Sequence, residues 1–390
     1  MKTMCNDMQL VNIINDQDWE FAEADTQYLT HNIHRYSGKF IPQIARKVIE
    51  ILTQEGDIIL DPYNGSGTTM LEALLTGRNA IGSDINPLAL LISEVKCTLI
   101  NSEELDWLVT FFEEKLSFLN IKDDLFLSQD REEFEKIIQS DIRFENEWFK
   151  KWFEPENLKE LIFINTIIKD LQKEDLKKIS LLAFSQILRR TSRAHSGYPN
   201  VMFDKNAGPK ARPSKVFIPE LIKITNMLRS LNKEVDTSTN ILIKYGDARN
   251  IELNNNSVDA VITHPPYIGS VPYAEYGLLS LMWLGEDPKI LDKTLTGGQR
   301  QSKYVVDRFT EGYSQMINES FRVLKPNKYA FFMVGNPVVK GELIDLEKIT
   351  LDHAIDAGFT HITTVTRKGQ NRRANKMGEE FLLFFKKTRA

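Results

Sequence analysis

The sequence predicts an α/β fold: a mostly parallel sheet of roughly seven strands, interrupted between its second and third strands by a helical insertion. Three observations predict it. The apolar run Ile58-Ile59-Leu60 leads into the glycine turn Asp61-Pro62-Tyr63-Asn64-Gly65-Ser66-Gly67-Thr68-Thr69 and then into a helix-like stretch from Met70 to Leu75. Far downstream, the buried-strand pattern Val258 to Thr263 runs into His264-Pro265-Pro266-Tyr267. Between the two, residues 101–231 read as almost wholly helical.

The elements follow in order. Strand, helix, strand and helix are predicted over 57–60, 68–76, 79–84 and 87–98, short apolar strands that imply a covered parallel sheet. In the insertion, Leu105, Leu108, Val109, Phe112, Leu116 and Leu119 keep one helical face apolar. Trp148, Phe149, Trp152 and Phe153 have helical spacing, so they are read as core rather than as a base-stacking platform. Strand signals resume at 241–245, 258–263, 329–334, 360–366 and 381–385, the last two flanking a basic connection and forming a closing antiparallel hairpin. The chain thus divides into 1–100, 101–238 and 239–390.

Composition sets limits. Among 390 residues, 42% are hydrophobic and 26% charged, which supports a large core, and the net charge of −5 excludes a basic coat over the whole surface. The first residues lack a basic-then-apolar leader pattern, and no apolar run is long enough to span a bilayer. Cys5 and Cys97 are too few for a disulfide framework or a cysteine metal site, and His31 and His34 have no further ligands beside them, so no metal is expected. A reducing cytoplasm is the expected location.

An open parallel sheet binds its ligand outside the carboxyl ends of its strands. Asp61, Asp84, Asp247 and His264 each stand at such an end, so four polar residues far apart in the chain converge on one crevice. Two glycines in the turn permit positive φ and close approach to a nucleotide-like cofactor, and the helix behind them offers free N–H groups. A side chain at Gly67 is expected to fill the cofactor's space. Asp84 either caps the next helix or accepts ribose hydroxyls, and Asp247 is either a turn aspartate or an acceptor for an adenine amino group. Asp61 caps the glycine turn, faces the cofactor's amino-acid end, or does both.

The glycine turn resembles the cofactor loop of S-adenosylmethionine-dependent DNA amino-methyltransferases, and His264-Pro265-Pro266-Tyr267 resembles their catalytic tetrapeptide. His34-Arg35-Tyr36-Ser37-Gly38-Lys39-Phe40-Ile41-Pro42 is similar to the segment that covers methionine in such enzymes. The resemblance covers roughly 32–87 and 242–386; the insertion matches in position only, where some members place target recognition. It implies a Rossmann-like class I methyltransferase sheet, S-adenosylmethionine as cofactor and double-stranded DNA as partner, with a cognate restriction endonuclease or other defence-system protein as a further partner class. The cofactor residues it implies are Lys39, Phe40, Asp61, Tyr63, Gly65, Gly67, Thr68, Asp84 and Asp247. The catalytic ones are His264, Pro265, Pro266 and Tyr267.

The tetrapeptide suits the chemistry. An exocyclic amine is a poor nucleophile because its lone pair is delocalised, so the site must accept its protons. The Pro265 carbonyl and the side chain before it are the acceptors, paired prolines add no competing donor, and Tyr267 stacks on a base that has left the duplex. His264 replaces the usual Asp, Asn or Ser. Neutral imidazole accepts a proton and imidazolium does not, so activity is expected to fall below about pH 6.5. Thr263 and the 273–285 stretch look more like cytosine-N4 members than adenine-N6 members. Two alternatives stand beside DNA methylation: an amino-methyltransferase for structured RNA, and a nucleic-acid-binding module of weak catalysis.

Phosphate contacts are assigned to local charge. Arg189, Arg190, Arg193, Lys205, Lys210, Arg212 and Lys215 share a stretch with one acid, Asp204, and several loop formers. Arg367, Lys368, Arg372, Arg373 and Lys376 form a second patch in the terminal hairpin connection, and residues 294–303, with Gly297-Gly298, a third candidate.

Overall fold

The computed structural model describes residues 7–39, 41–120, 128–198, 200–235, 239–269, 272–368 and 378–388. Nine strands occur among them: β1 (Ile58–Asp61), β2 (Asn79–Asp84), β3 (Ile241–Tyr245), β4 (Val258–Thr263), β5 (Leu324–Gly335), β6 (Val338–Val339), β7 (Glu342–Leu343), β8 (Thr360–Lys368) and β9 (Glu379–Lys386). Seven form one sheet in the order β3-β2-β1-β4-β5-β9-β8. From β3 to β5 every pairing is parallel, whereas β9 runs antiparallel between β5 and β8. This is the predicted α/β sheet with its closing hairpin, and β6 and β7 form a separate small ribbon that sequence patterning did not reveal.

Burial explains the central strand. All six residues of β4 are buried, as expected of a parallel strand covered on both faces. One face carries the helices Val305–Val323 and Leu346–Ala357 around Phe309, Tyr313 and Phe332; the other carries Asp7–Asn15 and Pro42–Leu52 around Ile14, Ile49 and Phe331.

The insertion leaves after β2 and returns at β3, as predicted. Its longest helices are Ser102–Leu116, Pro155–Asp170, Glu174–Thr191 and Pro213–Glu234. Trp283, from the short helix Leu278–Leu284, is the joint: its ring lies edge-on to Phe149, Phe153 and Phe184 at centroid distances of 5.1, 5.9 and 5.0 Å, and the Arg143 guanidinium covers it at 4.8 Å. Phe149, Trp152 and Phe153 are therefore core, with Trp148 packed partly buried against them, and that core is continuous with Leu88, Ile92 and Leu279 on the sheet side. No helix among the described residues is long and apolar enough to cross a membrane.

Candidate active site

The glycine turn is built to be rigid. Gly65 and Gly67 adopt φ of 50° and 75°, and Gly67 precedes the helix Thr68–Leu75. Asp61, buried at the end of β1, accepts hydrogen bonds from Tyr63 N (3.1 Å), Thr69 Oγ1 (2.6 Å) and Thr263 Oγ1 (2.6 Å), which ties the turn to the end of β4. Burial pushes its carboxyl up to about 6 against the pull of those bonds. Of the two glycines, only Gly65 borders the crevice; a Cβ on Gly67 would come within 2.1 Å of Ser93 Oγ. The expectation that Gly67 clears space for a cofactor is thus corrected: it clears space for the helix Pro87–Cys97.

The strand ends converge as predicted. A narrow crevice of about 70 Å³ is bordered by Tyr63 and Gly65 from the turn, Asp84 and Ile85 after β2, Asp247 and Ala248 after β3, and His264 and Pro266 after β4. Asp84 accepts from Gly65 N (2.9 Å) and Asn86 N (2.8 Å). It does not cap the following helix; Asn86 does, accepting from Leu88 N. Burial raises the Asp84 carboxyl to about 6, with the backbone donors opposing. Asp247 instead grips Arg249, at 2.9 Å to Nε and 2.6 Å to Nη2. Burial would raise its carboxyl, but the Arg249 hydrogen bonds outweigh that and hold it below the usual range. Tyr63 donates to Thr296 Oγ1 (3.2 Å).

Several residues of the crevice were not foreseen as site residues. Tyr36 and Tyr273 close one side with ring centroids 6.2 Å apart, and Leu295, Thr296 and Gly297 close another. A Cβ on Gly297 would stand 3.2 Å from the Tyr267 carbonyl oxygen, so the 294–303 stretch, read from sequence as a DNA contact, packs directly on the tetrapeptide. All of them lay within segments the sequence had marked, 34–42, 273–285 and 294–303, but for other roles than lining this crevice. Asp61, Gly67 and Thr68 lie behind the crevice, and Lys39 turns away to donate to the His31 carbonyl (2.7 Å). Phe40 lies outside the described residues, as do Arg372, Arg373 and Lys376.

Tyr267 points inward. Its ring is 7% exposed and stands edge-on to His264, and its hydroxyl lies 2.7 Å from His264 Nε2 and 3.4 Å from Glu380 Oε1. Glu380 pairs in turn with Arg367, which corrects the reading of Arg367 as part of a basic surface patch: it is buried and its charge is taken up by Glu380. Burial, then the charge of Arg367, lowers His264 to about 4, so the expected loss of neutral imidazole below pH 6.5 is corrected to a much lower pH.

The DNA methylase family (N6- and N4-type) matches residues 14–94. The chain is 27% identical to the type II methyltransferase M.MjaII of Methanocaldococcus jannaschii, over 82% of this chain and 75% of that one. It is 26% identical to M.MvaI of Kocuria varians (92% and 88%) and 29% identical to M.BsoBI of Geobacillus stearothermophilus (92% and 84%). The chain is thus similar to type II DNA methyltransferases over most of its length, and to the DNA methylase family over its first part. A solved methyltransferase from Methanosarcina mazei aligns at 14% identity and a TM-score of 0.36, over 88% of this chain and 98% of that one.

In this chain the basic stretch of the insertion divides. Arg189, Arg190 and Lys210 border a second cavity of about 500 Å³, together with Arg35, His34, Ser185 and Ser280. Tyr36 and Tyr273 border both this cavity and the crevice. The floor is a buried polar chain, His34 Nε2 to Ser185 Oγ (2.9 Å) and on to Ser280 Oγ (2.7 Å). Most of the basic residues already have partners from other elements. Arg190 pairs with Glu220 (2.9 Å), Arg193 with Glu154 (3.7 Å) and Arg212 with Glu160, while Arg189 donates to the carbonyls of His195 (2.8 Å) and Asn200 (3.1 Å) and Lys210 to that of Ala194 (3.3 Å). Lys205 and Lys215 are exposed. The reading of a stretch with a single acid is corrected in this respect: the acids come from neighbouring helices.

Proposed function

We propose that this chain is a site-specific DNA methyltransferase that moves the methyl group of S-adenosylmethionine to an exocyclic amine of a base turned out of the duplex, cytosine N4 in preference to adenine N6. The observation that carries this reading is the convergence of Asp84, Asp247, His264 and Pro266 on one crevice from successive strand ends of the β3-β2-β1-β4 sheet. The crevice fits the cofactor's chemistry. Asp84 offers a carboxylate for ribose hydroxyls, Asp247 an acceptor for the adenine amino group, and Ile85, Ala248 and Leu295 apolar flanks for the ring. Gly65 and Gly38 leave room on the methionine side. S-adenosylmethionine would supply an electrophilic methyl group on sulfur.

The residues of the chain do the rest. The target amine lies against His264 and the Pro265 carbonyl, which accept its protons as nitrogen becomes tetrahedral. The cavity bordered by Arg35, Arg189, Arg190 and Lys210 receives the extruded nucleotide, with cations for its phosphates and the His34–Ser185–Ser280 chain for polar edges. Thr263, whose hydroxyl holds Asp61, and the 273–285 stretch support the preference for cytosine through their likeness to cytosine-N4 enzymes.

The test is single-turnover transfer of labelled methyl to unmodified genomic DNA and, separately, to structured RNA, followed by nucleoside analysis. N4-methylcytosine in DNA is expected. N6-methyladenine would overturn the choice of base, methylated RNA with unmodified DNA the choice of substrate, and tight binding of cofactor and DNA without transfer the choice of an enzyme.

A further inference from the structure

The tetrapeptide's histidine is tied through its own tyrosine to three residues outside the motif, Glu380, Arg367 and Glu20, that neither the resemblance nor the sequence reading connects to it. Arg367 and Glu380 face each other across the β8–β9 hairpin, in register, and form an ion pair whose side chains are 2% and 12% exposed. Glu380 Oε1 lies 3.4 Å from the Tyr267 hydroxyl, which lies 2.7 Å from His264 Nε2. Arg367 is fixed from a third direction by the Glu20 carbonyl, 3.1 Å from its Nη2. A buried ion pair on a rigid hairpin therefore ends in a histidine at the edge of the crevice.

Donor and acceptor roles along this chain are constrained. A carboxylate only accepts, so the Tyr267–Glu380 contact exists as a hydrogen bond only when the phenol proton points to Glu380; we assign the proton there, which leaves the shorter contact to be made by His264 as donor. Burial, and then the charge of Glu380, keep the phenol protonated. The phenol oxygen is left as an acceptor toward His264, and the donor that faces it there is Nε2–H. The neutral ring then carries its lone pair on Nδ1.

We propose that Glu380 and Arg367 are positioning residues that fix His264 as its Nε2–H tautomer through Tyr267, making Nδ1 the proton acceptor for the target amine. This deepens the methyltransferase reading and rests on it for its catalytic part. In the step concerned, the amine nitrogen bonds to the methyl carbon and gives one proton to Nδ1, while the electron pair of the broken carbon–sulfur bond stays on sulfur. A glutamine at 380 reverses the chain: its amide donates to the phenol oxygen, the phenol proton turns to Nε2, and Nδ1 becomes the protonated nitrogen.

Two readouts test this on the full-length protein. The first is nitrogen-15 NMR of histidine-labelled protein without ligands, with the His264 resonances assigned by their loss in His264→Gln. Wild type is expected to show Nε2–H, Glu380→Gln a shift to Nδ1–H, and Tyr267→Phe a mixture, since only one oxygen is removed and the ion pair stays whole. The second is single-turnover methyl transfer, which should fall about 10²-fold in Glu380→Gln with unchanged cofactor affinity, the scale of a misplaced general base. An Nδ1–H ring in wild type, or a wild-type tautomer in both variants, overturns the proposal. The NMR result stands even if wild type transfers no methyl, so failure of the tautomer assignment and failure of the enzymatic reading are told apart; if Glu380→Gln does not fold, Tyr267→Phe decides.

Discussion

The strand ends and the insertion's basic stretch supply opposite sides of the proposed site, and they are determined differently. Asp84, Asp247 and His264 are separated by up to 180 positions in sequence, yet they border one crevice because parallel strands in one sheet end at one edge. Arg189 to Lys215 are close in sequence, yet the structure disperses them: some border the larger cavity, and others pair with Glu154 or Glu160 of another helix. A parallel sheet converts position in the chain into position in space. A run of charge on helices and loops gives composition without direction, because its partners come from elements that lie beside it only after folding.

The largest expected effect tests whether the two regions are one body. Trp283→Ala removes the ring shared by insertion and sheet and should cost about 3–5 kcal/mol, lowering the midpoint of a single cooperative denaturant transition. Two separate transitions in wild type would mean that the regions are independent and that the shared core does not couple them.

Next comes the strand-end side. Asp84→Ala should weaken S-adenosylmethionine binding by about 10- to 100-fold in calorimetry, the scale of one or two hydrogen bonds to a charged group. The pH dependence sharpens this. Asp84 and Asp61 protonate as pH falls through about 6, so cofactor affinity should decline there. His264 stays neutral down to about 4, so the single-turnover rate at saturating cofactor should hold between those values. A rate that falls at pH 6.5 while affinity is constant would reverse these assignments.

Asp84 could be found from sequence because an acid closing a short apolar strand has one place to go. The unforeseen residues differ. Glu380 reads as an ordinary acid at a strand start, and only the cross-strand register brings it to Arg367 and Tyr267. Leu295 to Gly297 belong to a loop that packs against the tetrapeptide, and Tyr273 opens a one-turn helix whose place in the crevice is set by tertiary packing. The first residues of β5 were missed because Pro326 and Asn327 signal a turn; Asn327 does adopt a φ of 63°, within a strand whose pairing shifts register there.

The smallest effect belongs to the insertion. Replacing Arg190 and Lys210 by Ala should lower the dependence of log K on log salt for DNA by about one unit for each phosphate no longer neutralised, with cofactor affinity retained. Lys205→Ala with Lys215→Ala is the matched control for a purely exposed charge. An equal loss of slope in both pairs would return the phosphate contacts to the open surface and remove the cavity from the DNA path.

Tyr36 and Tyr273 act as a bulkhead one aromatic layer thick, dividing a chamber of about 70 Å³ from one of about 500 Å³. A methyl group crosses only when the reacting atoms are about 3–3.5 Å apart. On the proposed reading, a base entering from the larger chamber reaches His264 and the methyl donor only by passing these two rings. The bulkhead rests on the smallest possible support: a Cβ on Gly38, which has a φ of 82°, would come within 2.8 Å of the Tyr273 oxygen. On the same reading, a nucleotide in the larger chamber and a cofactor in the smaller one would press on the same two rings, so filling one chamber would be felt in the other.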